Sequence, residues 1–208
     1  MSIPDANELL SLIYNYYPRQ CSFGSHKYET SDEYTRYLNI VNNATKRKKL
    51  DEKFYPNIVK CADGYCVMLR EHSDYSNCPS IEYTILLHKN QPVLDDDVEL
   101  LLSLCGKRLD LELYFSMLDD YFYYCIVETV GGKDILTWSF SVLTNEQLPH
   151  EERELIDALC LNMFSFGFKL LPRNLAYVVV PEIETELINS DKVTIFNCLY
   201  DGVPTRDY

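Results

Sequence analysis

The sequence predicts an α+β fold: an antiparallel or mixed sheet with helices packed on it, in a single domain. Three observations carry this. Apolar residues recur at helical spacing towards both ends of the chain. Between 109 and 143, three successive segments rich in apolar and aromatic residues have strand character, the first with strict alternation, and short turns join them. The 208 residues, 47% hydrophobic and 25% charged, have the composition of an ordinary globular protein and contain no Gly/Ser-rich linker that would divide them. The N-terminal part, about 1–60, reads as helical, residues 61–200 as sheet and helices, and 201–208 (DGVPTRDY) as a loose tail.

Residues 5–17 form the first predicted helix, with Leu9, Leu10, Ile13, Tyr14 and Tyr17 on one face and Pro18 as its stop. After a loop through Cys21, Gly24 and His26, Thr30 and Glu33 stand at capping-box spacing and open a second helix. Tyr34, Tyr37, Leu38 and Val41 make its buried stripe. It runs into Lys46, Arg47, Lys48 and Lys49, which suit the negative end of a helix dipole. Residues 64–70 (GYCVMLR) and 81–88 (IEYTILLH) then read as strands. Asp95 or Asp96 caps a short helix carrying Val98, Leu101, Leu102 and Cys105, and Gly106 stops it.

The clearest strand is 109–117. Leu109, Leu111, Leu113 and Phe115 alternate with Asp110, Glu112, Tyr114 and Ser116, so one face is expected inside and the other at water or a partner. Asp119 and Asp120 turn the chain into a strand at 121–130. Gly131 and Gly132 supply the hairpin into 135–143, where Leu136, Trp138, Phe140 and Val142 are expected on the inner face. A long helix follows from about 150 to 165, with Leu155, Ile156, Leu159, Cys160 and Met163 as its stripe, acidic residues near its positive end, and Gly167 after it. Residues 175–180 (LAYVVV) and 193–199 (VTIFNCL) read as two further strands flanking the acidic segment Glu182, Glu184, Glu186.

Net charge is −13, with −4 in residues 1–100 and −9 in 101–208. Such a field repels nucleic acid and anionic membranes and attracts basic partners. No apolar run approaches the roughly 18 residues of a membrane span, and MSIPDANELL has no secretory pattern. A cytoplasmic protein with its eight cysteines reduced and metal-free is therefore expected.

No constellation reads cleanly as catalytic, and no cofactor is implied. Cys61, Cys66, His72 and Cys78 are proper zinc ligands, but their spacing is loose and Cys66 falls within a strand pattern. The chain has no G-x-S-x-G elbow. The GGK at 131–133 lacks a phosphate-loop frame, and Asp95, Asp96 and Asp97 lack the alternation of a calcium loop. What the sequence does offer is an acidic, tyrosine-bearing sheet face: Asp110, Glu112 and Tyr114, with Tyr121 or Tyr123 across from them. That face, together with Glu182, Glu184 and Glu186, is the expected partner-binding set, since tyrosine suits interfaces and carboxylates suit a basic protein partner.

Two parts of the chain, LLSLIYNYYP (9–18) near the start and PEIETELI with VTIFNCLYDG (181–188, 193–202) near the end, resemble immunity proteins encoded beside bacterial polymorphic and contact-delivered toxins, as does the general layout. The resemblance implies a non-enzymatic inhibitor inside the cell that masks the active or substrate-binding surface of a cognate toxin. It transfers no site residues. Two other classes remain beside it: a small cysteine- or carboxylate-dependent hydrolase with dispersed site residues, and a structural subunit of a larger assembly.

Overall fold

The computed structural model describes residues 4–69, 78–91, 97–132, 137–186, 188 and 191–200. Its strands are β1 (Cys66–Leu69), β2 (Ser80–Leu86), β3 (Lys107–Ser116), β4 (Tyr121–Gly131), β5 (Trp138–Leu143) and β6 (Lys169–Leu170). Its helices are α1 (Ala6–Ile13), α2 (His26–Glu29), α3 (Asp32–Val41), α4 (Ala44–Cys61), α5 (Asp97–Ser103), α6 (His150–Ser165), α7 (Arg173–Ala176) and α8 (Ile195–Tyr200). β1 to β5 pair in chain order, each antiparallel to the next, and β6 runs parallel to the start of β4. The fold is a single-domain α+β structure, and none of its described helices is long and apolar enough to cross a membrane.

Helices cover both faces of the sheet. On one, Ile81, Tyr83, Ile85, Leu111, Leu113, Phe115, Phe122 and Ile126 pack against Phe54 and Ile58 of α4 and Leu155, Leu159 and Met163 of α6. On the other, Tyr114, Tyr121, Tyr123, Cys125 and Val127 lie beneath α1, α3, α7 and α8. This overturns the half-solvated sheet expected from the alternation. Asp110, Glu112 and Tyr114 do share a face, but all three are buried, as are Tyr121 and Tyr123. Alternation tells which residues share a side, and an apolar second layer can still settle over the polar side.

Much of that second layer differs from the expectation. Of the run at 175–180 only Leu175 and Ala176 are helical, at the end of α7, and the run at 193–199 gives α8, so that among the described residues the Val179–Thr194 bridge is the strand pairing left between them. A short apolar run has no period to separate strand from buried helix, and every residue of α8 is buried. The helix start was nonetheless encoded: Asn197 Oδ1 accepts from Thr194 N at 2.8 Å, and Thr194 Oγ1 accepts from Asn197 N at 3.4 Å. This is a reciprocal cap.

The basic run opens a helix instead of closing one. Asn43 caps α4 by accepting from Lys46 N at 2.9 Å. Basic residues there oppose the dipole, at about 0.3–1 kcal/mol each. Charge-assisted bonds offset this: Lys46 Nζ donates to Met117 O at 2.6 Å and Arg47 to Ser80 O at 2.7 Å. They tie α4 to the ends of β2 and β3. Other boundaries moved less. α1 ends at Ile13, and Tyr14–Tyr17 form a turn before Pro18. Ser31, not Thr30, caps α3, accepting from Tyr34 N at 3.1 Å. In and after α5, Leu102 and Cys105 are exposed, and Leu100 and Leu101 are the buried pair. Gly106 does stop α5 as expected: its φ is +83°, and its N–H donates to Leu101 O at 2.8 Å. Among the described residues β5 is paired on one side only, so Trp138 is half-buried and Phe140 is 44% exposed, against the expectation that both lie inside. Asp95, Asp96, Leu136, His72 and the tail lie outside the described residues.

His88 extends the β2–β3 pairing through its side chain, where Nε2 accepts from Leu109 N at 3.0 Å. Burial lowers its pKa, helped by Arg108 and Lys107 and opposed by Glu152. The unfolded chain therefore takes up the proton first. The stability this bond contributes is complete above about pH 6.5, the unfolded pKa, and is lost as pH falls through the lower folded pKa. Urea midpoints at pH 7.5 and pH 5 are expected to diverge more in the wild type than in His88→Gln, which keeps an acceptor but cannot titrate. Equal divergence would remove His88 from the pH response.

Candidate functional site

The acidic segment is held across the loop that leaves α1. Gln20 and Glu182 both adopt positive φ, at +54° and +65°, and Gln20 N donates to Glu182 O at 2.9 Å. The Glu182 carboxylate accepts from Gln20 Nε2 at 2.8 Å and from Arg19 Nε at 2.8 Å. These two partners hold its pKa below the usual carboxylate range. Glu184 accepts from Phe23 N at 3.1 Å, and Tyr14 OH reaches Pro181 O at 3.4 Å. The segment is thus a strap with fixed geometry, and its last carboxylate, Glu186, is exposed.

Beside the strap stands a run of rings. Phe23 and Tyr28 meet edge-on with centroids 5.1 Å apart, Tyr28 and Tyr34 are 4.9 Å apart, and Tyr34 stacks on Tyr37 at 5.9 Å. Tyr28 and Tyr37 are buried, Tyr34 is half-buried and Phe23 is 37% exposed. Tyr17 anchors the cluster to the core by donating from its hydroxyl to Cys198 O at 2.8 Å. Between the rings, Thr185 and Glu186 is a recess of about 30 Å³, room for a water or two. Burial raises the Tyr34 pKa, and the neighbouring Glu29 and Glu186 carboxylates raise it further.

These residues make an aromatic and acidic surface suited to a cation. One guanidinium is already held in this manner: Arg19 pairs with Glu182 while lying 4.7 Å from the centroid of the Tyr14 ring. Glu29, Tyr34, Glu186 and Phe23 offer the same elements without that intramolecular guanidinium.

The partner-binding set expected from the sequence therefore divides. Glu182, Glu184 and Glu186 come together at this surface. Asp110, Glu112, Tyr114, Tyr121 and Tyr123 belong to the interior. There Glu112 Oε2 accepts from Tyr114 OH at 2.6 Å and Cys125 Sγ at 3.4 Å, and Asp110 pairs with Arg108 at 2.7 Å. Sequence reasoning missed Phe23, Glu29 and Tyr34 as surface residues. Six tyrosines fall between 14 and 37, more than two short helical stripes bury, and that excess was the available signal.

The zinc constellation does not assemble. Cys66 pairs with Leu86 at one end of β2, whereas Cys78 precedes Ser80 at the other. Among the described residues, no group of three His, Cys, Asp or Glu is arranged to hold a metal. All eight cysteines are free thiols. Burial pushes the Cys61 and Cys66 thiols up, and takes Cys160 to about 11, away from the thiolate that a nucleophile needs. No protein-family model matches this chain, and comparison with curated proteins and with solved structures finds no match.

Proposed function

We propose that this protein is a non-enzymatic binding protein that masks a basic surface on a partner protein, acting as an immunity protein does towards its toxin. The observation that carries this reading is the surface formed by Phe23, Glu29, Tyr34, Glu184 and Glu186, where carboxylates and partly exposed rings stand together on a chain of net charge −13. Carboxylates steer a basic partner in, and rings whose edges are already packed lose little freedom when they are covered. Arg19 over Tyr14 is the intramolecular precedent for the contact.

Co-purification with the product of the adjacent reading frame supplies the partner, and a biosensor titration at two salt concentrations supplies the test. Glu29→Lys with Glu186→Lys changes two exposed side chains, so stability is expected to stay within about 0.5 kcal/mol per site. Association is expected to slow about tenfold and lose most of its salt dependence. Tyr34→Ala is expected to act on dissociation, speeding it about thirtyfold, the scale of a central anchor worth about 2 kcal/mol. A complex indifferent to both changes would move the binding face elsewhere. The absence of any complex would sink the immunity reading.

A further inference from the structure

β4 shares its outer edge between two strands. β6 pairs with it at Tyr121 and Phe122, and β5 from Ile126 onward, so on this edge, the one away from β3, residues 123–125 have no strand beside them among the described residues. Even-numbered residues of β4 turn their main-chain groups towards this edge. Asp120 O and Phe122 O accept from Lys169 N and Leu171 N, each at 2.8 Å, and Gly132 N donates to Thr137 O at 2.6 Å. Tyr124 belongs to the same set, so its N–H and C=O point into the break between β5 and β6. Neither group meets a protein partner among the described residues.

The break is a cavity of about 250 Å³. Val142, Leu143 and Leu171 give it apolar lining, and Thr144, Asn145, Glu146 and Arg173 give it polar lining. Asn145 is tied to β4, its Nδ2 donating to the Tyr124 hydroxyl at 3.0 Å. Three residues of strand span only about 10 Å, and the pairs Phe122–Leu170 and Ile126–Leu143 close the gap at both ends. A peptide strand cannot run along β4 here. The volume lies near the small end of ligand pockets, which begin at about 300 Å³.

We infer that this notch is a small-molecule site, and that it takes a planar group bearing a hydrogen-bond donor beside an acceptor, such as a carboxamide, a lactam or an aminopyrimidine edge. The ligand's acceptor takes the Tyr124 N–H, its donor meets the Tyr124 C=O, and its flat apolar body lies between Leu143 and Leu171. The site restores the two ladder bonds that the divergence of β5 and β6 leaves unmade, and main-chain groups that a ligand shields from water strongly favour being paired. It is separate from the partner-binding surface, and its existence does not depend on that reading.

The test follows the Tyr124 amide resonance of the full chain during titration with benzamide and, separately, with N,N-dimethylbenzamide, which lacks the donor. Benzamide is expected to shift that resonance saturably at millimolar concentration, and the dimethyl compound to bind at least about tenfold more weakly, the loss expected when a carbonyl covered by the ligand is left without a donor. In Leu143→Trp, where the indole fills the notch, the benzamide response is expected to vanish while the rest of the spectrum stays folded. The wild-type comparison of the two amides stands on its own if that variant fails to fold. Equal affinity for the two amides, or a Tyr124 resonance that neither one moves, would mean that the notch holds only water and would overturn the assignment.

Discussion

Asp110→Lys is expected to destabilise the fold by about 3–5 kcal/mol, the cost of breaking a buried ion pair and leaving a charge uncompensated. Asp110 sits in β3, 7% exposed, with Oδ2 at 2.7 Å from Arg108 Nε. A lysine there would bring an ammonium against a guanidinium in a place that water barely reaches. Total stability of a domain this size is about 5–15 kcal/mol, so the loss takes a large share of it. Asp110→Asn keeps the shape and removes the charge, and is expected to cost less than the lysine. Urea denaturation followed by circular dichroism measures both. A change within about 0.5 kcal/mol for the lysine variant, typical of exposed positions, would restore the open sheet face that simple alternation suggested.

That substitution also separates what the sequence could and could not reveal. Leu109, Leu111, Leu113 and Phe115 stated the strand, its side and its neighbours, and the meander of β3, β4 and β5 follows from alternation and short turns alone. What covers the opposite side is set by residues far away in sequence. Phe196 and Tyr200 of α8 pack over Tyr114 and Tyr123, and no local pattern around Tyr114 records this. Helix α4 is not legible in the sequence because its start carries charge of the wrong sign for its dipole, and the distant carbonyls of Met117 and Ser80 explain Lys46 and Arg47. Pro56 inside the helix added to the disguise, although it sits on the exposed side. The candidate site was half legible. An i, i+2 run of glutamates between apolar segments marks an acidic strap, but the tyrosines beside it have the spacing of core residues, and helical spacing alone does not say how much of a ring stays outside.

Phe196→Ala is expected to cost about 3–5 kcal/mol, the range for emptying an aromatic site in a core that relaxes only in part. Its ring has no exposure and lies 5.1 Å from Tyr114, 5.2 Å from Tyr123 and 5.1 Å from Tyr200, centroid to centroid. Alanine is the best helix former, so the loss reports the ring and not the backbone of α8. Asn197→Ala in the same helix removes the reciprocal cap with Thr194 and is expected to cost about 1 kcal/mol. The two together test the structure of the segment as well as its burial. In a strand at 193–199, residues 196 and 197 would point to opposite faces, and Asn197 would have no cap to lose. In α8 both are buried, and both changes destabilise. A near-neutral Asn197→Ala beside a damaging Phe196→Ala would therefore favour the strand, and with it an open sheet face over Tyr114. Losses at both positions would fix α8 as the lid over Tyr114 and Tyr123, and would leave the strap and its tyrosines as the acidic surface open to a partner.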